Sequence, residues 1–357
     1  MEEWKEYKLG EVINILDYKR IPLSSAERKT REGGFPYYGA QGIIDYIDDY
    51  IFDGTYLLIA EDGENLKSKK QDIAQLAHGK YWVNNHAHIV ESNGICDIRY
   101  LCYILNNIDL SGYITGSAQP KLNQANLSVI SIILPPLNLQ EQIADFISMF
   151  DNKIELNRRI NDNLEQQAQA LFNEMFPHIT EGENMIGDLI IPKRGKGLLS
   201  KNAIKGDIPV VAGGIEPATY HNQANTTAPV LTIAASGANA GYINLWHIPV
   251  WASDSSYIDD SITPNVYFWY IMLKKRQKEI FDAQVGSAQP HIYPKHIAEL
   301  PMNVVFVEKI AEYNEIVTPI FEKKGQLFLE SKRLTSLRDT LLPKLMSGEL
   351  KINDINN

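Results

Sequence analysis

Apolar residues recur at seven-residue intervals in two stretches of this chain, and elsewhere they come in short runs. After residue 136 the seven-spaced series is Ile143, Phe150, Asn157, Leu164 and Leu171, apolar except at Asn157. A companion set four residues on reads Ile147, Ile154, Asn161 and Ala168. Near the C-terminus the series is Tyr313, Ile320, Leu327, Leu334 and Leu341. This spacing predicts two long helices that pack along a coiled-coil seam, roughly 50 Å each at 1.5 Å per residue. An Asn at a core position of such a seam fixes register at some cost in stability. Pro319 is expected to begin or kink the second helix.

The remaining runs are strand-length. Tyr56–Ala60, Tyr81–Val83, His88–Val90 and Val129–Leu134 read as strands, broken by turns at Gly33-Gly34 and Glu61-Asp62-Gly63. Shorter helices are expected from about Asp97 to Asn107 and from Val266 to about Phe281. The organisation is then a globular segment 1–136, a helical segment 137–178, a second globular segment 179–303, a helical segment 304–350 and a tail 351–357. The fold class is α+β.

The two halves repeat one another. Gly116-Ser117-Ala118-Gln119-Pro120 returns as Gly286-Ser287-Ala288-Gln289-Pro290. Thr55–Gly63 resembles Ala228–Gly237, and Leu9-Gly-Glu-Val12 resembles Ile186-Gly-Asp-Leu189. Each of the latter precedes a basic pair, Lys19-Arg20 and Lys193-Arg194. The matches keep their order, and the two helical series are offset like the Gly-Ser-Ala-Gln-Pro elements. Duplication explains all of this; coincidence does not.

Composition narrows the chemistry. The chain has 357 residues, 44% of them apolar, enough for substantial cores. Its 44 acidic against 34 basic residues give a formal charge of −10, unlike a free-standing nucleic-acid binder. Residues 1–136 alone hold 18 acids and 13 bases. Cys96 and Cys102 are too few for a disulfide framework or a zinc knuckle and read as reduced, buried thiols. Pro217–Ser253 lacks Asp, Glu, Lys and Arg, yet its Gly, Asn, Thr and Pro content is unsuited to a membrane span. With a charged N-terminus, a soluble cytoplasmic protein is expected. Nucleotide-binding loops and hydrolase, metalloprotease and deaminase motifs are missing. His86 and His88 share a strand face without an evident third ligand, so no metal is expected. Asp45, Asp48, Asp49 and Asp53 lack the spacing of a calcium loop and read as a solvated hairpin tip.

Several stretches together carry a family resemblance. Leu334–Leu350, with Leu341-Leu-Pro-Lys-Leu-Met-Ser-Gly-Glu-Leu350, resembles the closing signature of specificity subunits of type I restriction-modification systems. Pro135–Ile143, running on to Leu171-Phe172, is similar to their central helix. Phe35–Gly42, Asn84–Ile89 and both Gly-Ser-Ala-Gln-Pro elements resemble their target-recognition domains. The resemblance implies two similar α/β target-recognition domains separated by two long antiparallel helices, related by a pseudo-twofold axis. It implies a non-catalytic subunit whose domains each read one half of a bipartite site in double-stranded DNA. The helices would set the spacer and dock two methyltransferase subunits. No cofactor would sit on this chain; S-adenosylmethionine and ATP would belong to the methyltransferase and to nuclease/translocase subunits. A rod of about 50 Å suits half-sites roughly one duplex turn apart. The alternative is an interaction scaffold of such a complex that has lost DNA readout.

The halves are not identical: Phe35-Pro-Tyr-Tyr-Gly is answered by Ile208-Pro-Val-Val-Ala-Gly, and Asn84-Asn-His-Ala-His only loosely by Ser253-Asp-Ser-Ser-Tyr. An asymmetric DNA target is therefore expected. Phosphates attract Lys and Arg, and base edges suit Arg, Lys, Asn, Gln, Ser and Thr. Lys19, Arg20, Lys193, Arg194 and Lys196 either track the backbone or are merely solvated. Gln119 and Gln289, followed by Lys121 and His291, either pair with adenine or cap a turn. Tyr37 and Tyr38 either stack at the interface or belong to the core.

Overall fold

The computed structural model describes residues 4–116, 119–286 and 289–355. The chain divides into two compact units, Met1–Asn152 with Leu334–Asn357, and Lys153–Arg333. Both boundaries fall inside long helices, Leu137–Met175 and Val307–Met346.

In the first unit, strand Tyr56–Ala60 is central. It pairs antiparallel with Ala87–Ser92 on one side and Ala74–Ala77 on the other, and Ile13–Ile15 extends the sheet beyond Ala87–Ser92. Its side chains alternate between two cores, as a strand's period of two requires. Leu57 and Ile59 pack with Tyr100, Leu101, Ile104 and Leu105 of helix Ile98–Asn107. Leu58 packs on the opposite face with Phe52, Tyr81 and Ile89. The helix begins where it does because Asp97 accepts hydrogen bonds from the Arg99 and Tyr100 amides at 2.8 and 3.1 Å. A second sheet places Glu32–Gly39 between Gly42–Ile47 (antiparallel) and Lys80–Val83 (parallel).

Gly33-Gly34 lies not in a turn but within strand Glu32–Gly39, where the register shifts between Glu32 and Phe35. The glycine is needed for close approach: a Cβ on Gly33 would meet the Asp48 Cα and Ile47 O at 2.4 Å. The acidic hairpin is not merely solvated either, since Arg28 pairs with Asp45 at 2.9 Å and Arg31 with Asp48 at 2.9 Å. Val129 is exposed beyond the short helix Gln124–Ser128, and the strand there is Ser131–Leu134.

The second unit repeats the strand order of the sheet around the central strand, while its second sheet has three strands where the first unit has four. Val230–Ala234 lies between Ser255–Ile258 and Ile243–Trp246, with Lys193–Arg194 outermost. Ile208–Val211 runs parallel to Trp251–Ala252, as Glu32–Gly39 does to Lys80–Val83. Gly206 repeats the device of Gly33, its absent Cβ falling 2.5 Å from Asn222 Cα. The charge-free stretch Pro217–Ser253 supplies strands to both of these sheets, and among the described residues no helix is long and apolar enough to cross a membrane. The expected helix from Val266 breaks at Arg276 into Val266–Lys275 and Gln277–Asp282. Arg276 is buried there, its guanidinium held by Glu279 Oε2 and the Pro301 carbonyl.

Segments of the two long helices pair within each unit. In the first, Arg338 donates to Asp151 at 2.7 Å, and Tyr103 donates to the same carboxylate at 2.5 Å. In the second, Asn157 Nδ2 donates to Glu330 Oε2 at 2.8 Å and to Ser331 Oγ at 3.2 Å. Further along, Glu165 meets Lys324, and the Tyr313 hydroxyl donates to the Ala168 carbonyl at 2.9 Å. Partner numbers fall as these rise, so the segments are antiparallel. The seam positions Ile143, Asn157, Tyr313 and Leu327 are buried, and Phe150, Leu164, Leu171, Ile320, Leu334 and Leu341 half-buried. Pro319 does not begin the second helix, which starts at Val307 and passes through it.

Both thiols are unpaired and held off from chemistry by burial, which raises Cys96 and pushes Cys102 up to about 12.

Two predictions follow from packing in these units. Burial, with Lys324 nearby, pushes His247 down to about 4, and its ring lies where a Cβ on Gly325 would be, 2.8 Å from Cγ. The unfolded chain takes up this proton near 6.5, the folded chain only near 4. The neutral imidazole's contribution is therefore complete above pH 6.5 and lost as pH falls toward 4. Denaturation midpoints measured between pH 7.5 and 5 should fall, and His247→Gln should flatten that slope. Gly33→Ala should cost about 2 kcal/mol, because the intruding carbon meets backbone rather than a mobile side chain; an unchanged urea midpoint would refute the close-approach account.

Candidate nucleic-acid interface

The repeated Gly-Ser-Ala-Gln-Pro element is a closed loop in both units. Thr115 and Lys121 exchange backbone hydrogen bonds at 2.8 Å each, and Val285 and His291 do so at 3.0 and 2.8 Å. Gly116 and Gly286 take φ of +82° and +96°, and a Cβ would fall 2.2 and 2.6 Å from the carbonyls of Gln119 and Gln289. The loops dock in the same way on the segment that follows each central strand. Gly63 N donates to Pro120 O at 3.1 Å and Leu122 N to Glu61 O at 2.8 Å; Gly237 N donates to Pro290 O and Ile292 N to Ala235 O, both at 3.0 Å. Ser117, Ala118, Ser287 and Ala288 lie outside the described residues, while Gln119 and Gln289 are exposed.

Beneath the first loop lies a charged network. His88, only 1% exposed, points Nδ1 at Asp17 Oδ2 (2.6 Å) and Nε2 at the Leu122 carbonyl (2.7 Å). Both partners accept, so both ring nitrogens donate. Arg20 bridges Asp17 at 3.3 Å and Glu61 at 2.8 Å and donates to the Ala87 carbonyl at 3.0 Å. Lys121 reaches Glu61 at 3.1 Å. Burial alone would raise Asp17, but hydrogen bonds from His88 and the Ile89 amide, with the charges of His88 and Arg20, hold it below the ordinary carboxylate range. Burial likewise opposes Glu61, which Arg20 and Lys121 pull down. Asp17, Glu61 and His88 approach closely enough to ligate one metal ion. The positive charge among them is already supplied by Arg20, and neither nitrogen of His88 keeps a lone pair for a metal.

In the second unit the corresponding positions carry different groups. Register places Ser256 opposite Ile233 as His88 stands opposite Ile59, and Ala235 fills the place of Glu61. His86 meets Asp62 at 2.7 Å in the first unit; Asp254 meets Ser236, and Arg194 at 2.5 Å, in the second.

The candidate contact residues thus separate. Tyr37 is wholly buried, accepting from the Leu23 amide at 2.9 Å with Arg28 over its ring, and belongs to the core. Tyr38 is half-buried, edge-on to Tyr81. Arg20 and Lys121 are committed to carboxylates. Lys19 is exposed beside Tyr18, itself 78% exposed, and Lys193 and Lys196 are exposed, Lys193 reaching Ser261 Oγ at 3.0 Å. His291 stacks on Tyr293. Three polar residues join the same edge without having been singled out for it: Gln41, whose amide lies 3.8 Å from where a Cβ on Gly63 would be, and exposed Asn85 and His86. Gln41 and Asn85 lie in the stretches Phe35–Gly42 and Asn84–Ile89 that resemble target-recognition domains, but no spacing or residue type there picked them out individually.

Residues 1–166 match the family model of the type I restriction modification DNA specificity domain. A type I restriction enzyme specificity subunit of Haemophilus influenzae is 34% identical over 217 residues, 58% of this chain and 55% of that protein, so this chain spans little more than half of it. One from Methanocaldococcus jannaschii is 23% identical across 99% of this chain and 98% of its own. The fold is that of the type I restriction-modification S subunit from M. genitalium, with a TM-score of 0.61, 21% identity and 96% of each chain covered. Duplicated units, a seam of paired helices and these relatives agree: the chain is similar to type I restriction-modification specificity subunits, and its residues 1–166 match their DNA specificity domain.

Proposed function

We propose that this chain is the sequence-reading, non-catalytic subunit of a DNA-modifying complex. Each unit reads one half of a bipartite, asymmetric site in double-stranded DNA. The long helices fix the spacer and dock two methyltransferase subunits, which bring S-adenosylmethionine. Nuclease/translocase subunits using ATP join for restriction, in the cytoplasm where the DNA is. One observation carries the reading: the same clasped loop presents an exposed Gln in both units, above surfaces that differ in charge. Two alike mounts with unlike surroundings are what reading two unlike half-sites requires. Amide side chains at such a loop suit base edges, and exposed Lys19, Lys193 and Lys196 suit phosphates.

The charge of −10 bears on assembly. Phosphate neutralisation supplies most non-specific affinity, so the chain alone should bind DNA weakly and depend on basic partner surface. The test is the methylation pattern of a complex between the full chain and a type I methyltransferase subunit. One bipartite motif should appear, and exchanging residues 1–136 for those of another specificity subunit should change one half only. An unaltered motif after the exchange would leave a scaffold. Tight, salt-resistant DNA binding by the isolated chain would contradict the dependence on partners.

A further inference from the structure

Glu61 and His88 do not reach the surface where DNA would lie, yet they grip the loop that does. His88 Nε2 donates to the Leu122 carbonyl, and the Glu61 carbonyl accepts from the Leu122 amide. The Glu61 carboxylate holds Lys121 at 3.1 Å and Arg20 at 2.8 Å. The two residues after Pro120 are thus fixed through backbone and side chain together. On the loop's other side Lys67 Nζ donates to the Gly116 carbonyl at 3.0 Å.

The second unit shows that the fold does not require these charges. The sheet holding its central strand has the same order, and the loop has the same reciprocal backbone pair and the same docking bonds, with Ala235 and Ser256 in place of Glu61 and His88. The Ser256 hydroxyl is buried without a partner, so nothing there replaces the imidazole's grip. A network of this kind costs desolvation that well-packed apolar residues would avoid, so stability alone gives no reason for it. What it adds is a fixed position for the strand leaving the loop.

We propose that Glu61 and His88 are positioning residues for DNA readout by the first unit: through Lys121 and Leu122 they set the aim of the Gln119 loop and so the stringency at one half-site. Among the described residues, the second unit's loop is held by backbone bonds and has no such device. This rests on the DNA-reading role proposed above.

The experiment uses the full chain in complex with a methyltransferase subunit and measures methylation of the best duplex against duplexes with single base changes in either half-site. Glu61→Gln keeps size and shape while removing the charge that holds Arg20 and Lys121. Its discrimination at the half-site assigned to residues 1–136 should fall about tenfold, the scale of one well-placed base contact, with the other half-site unchanged. Should Glu61→Gln melt well below the parent chain, Lys121→Met, altering an exposed partner only, takes its place with the same expectation. Loss of a phosphate contact alone would instead weaken all duplexes equally and overturn the positioning role. Unchanged discrimination in a folded variant would overturn it as well. If the parent complex shows no bipartite preference at all, the DNA-reading role itself fails.

Discussion

The backbone clasp that closes each Gly-Ser-Ala-Gln-Pro loop governs the recognition edge of both units. Two reciprocal hydrogen bonds, Thr115 with Lys121 and Val285 with His291, leave five residues to turn, and that turn needs positive φ at its first position. Only glycine meets the demand without strain, and a Cβ would also strike the carbonyl of the Gln four residues into the element. Once the loop is closed, its Pro carbonyl and the following amide are oriented to dock on the segment after the central strand. That docking point is fixed because the central strand is buried on both faces. Core, strand, loop and exposed Gln form one chain of dependence.

On this common mount the two units diverge by chemistry rather than geometry. In the first, the carboxylates of Asp17 and Glu61 are paired with Arg20, His88 and Lys121 under the loop. In the second, Ala235 and Ser256 leave the same space neutral, and charge moves outward to Arg194 and Asp254. Duplication followed by this replacement keeps the backbone solution, which is hard to find, and varies the side chains, which are not. Unequal readers on equal frames are the outcome.

The sequence revealed what depends on periodicity and identity. Heptad spacing placed the long helices because a seam needs an apolar residue at every turn facing its partner. Five identical residues placed both loops because positive φ and the tight turn allow few substitutes. Long-range pairing was not legible. Nothing near Gly33 in sequence announces Asp48, so a bulge looked like a turn. Nothing around Tyr37 tells that its hydroxyl meets the Leu23 amide and its ring lies in the core. Arg20 looked like a phosphate ligand because Glu61, its acceptor, lies far along the chain. Pro319 was expected to begin or kink its helix, but it sits well inside one begun at Val307, where neighbouring turns keep the helix going.

The same blindness to distant partners explains how the acidic balance misleads. Counted along the chain, −10 looks hostile to DNA. Counted in space, part of the acid of the first unit is already spoken for: Asp17 and Glu61 by Arg20, His88 and Lys121 beneath the loop, and Asp45 and Asp48 by Arg28 and Arg31. Pairs of this kind contribute little field beyond a Debye length. What an approaching phosphate meets at this edge is the exposed Lys19 and amide groups rather than a bare carboxylate surface. The local potential, not the total, decides whether a duplex can settle there, and the total decides how much help from basic partners the settling needs.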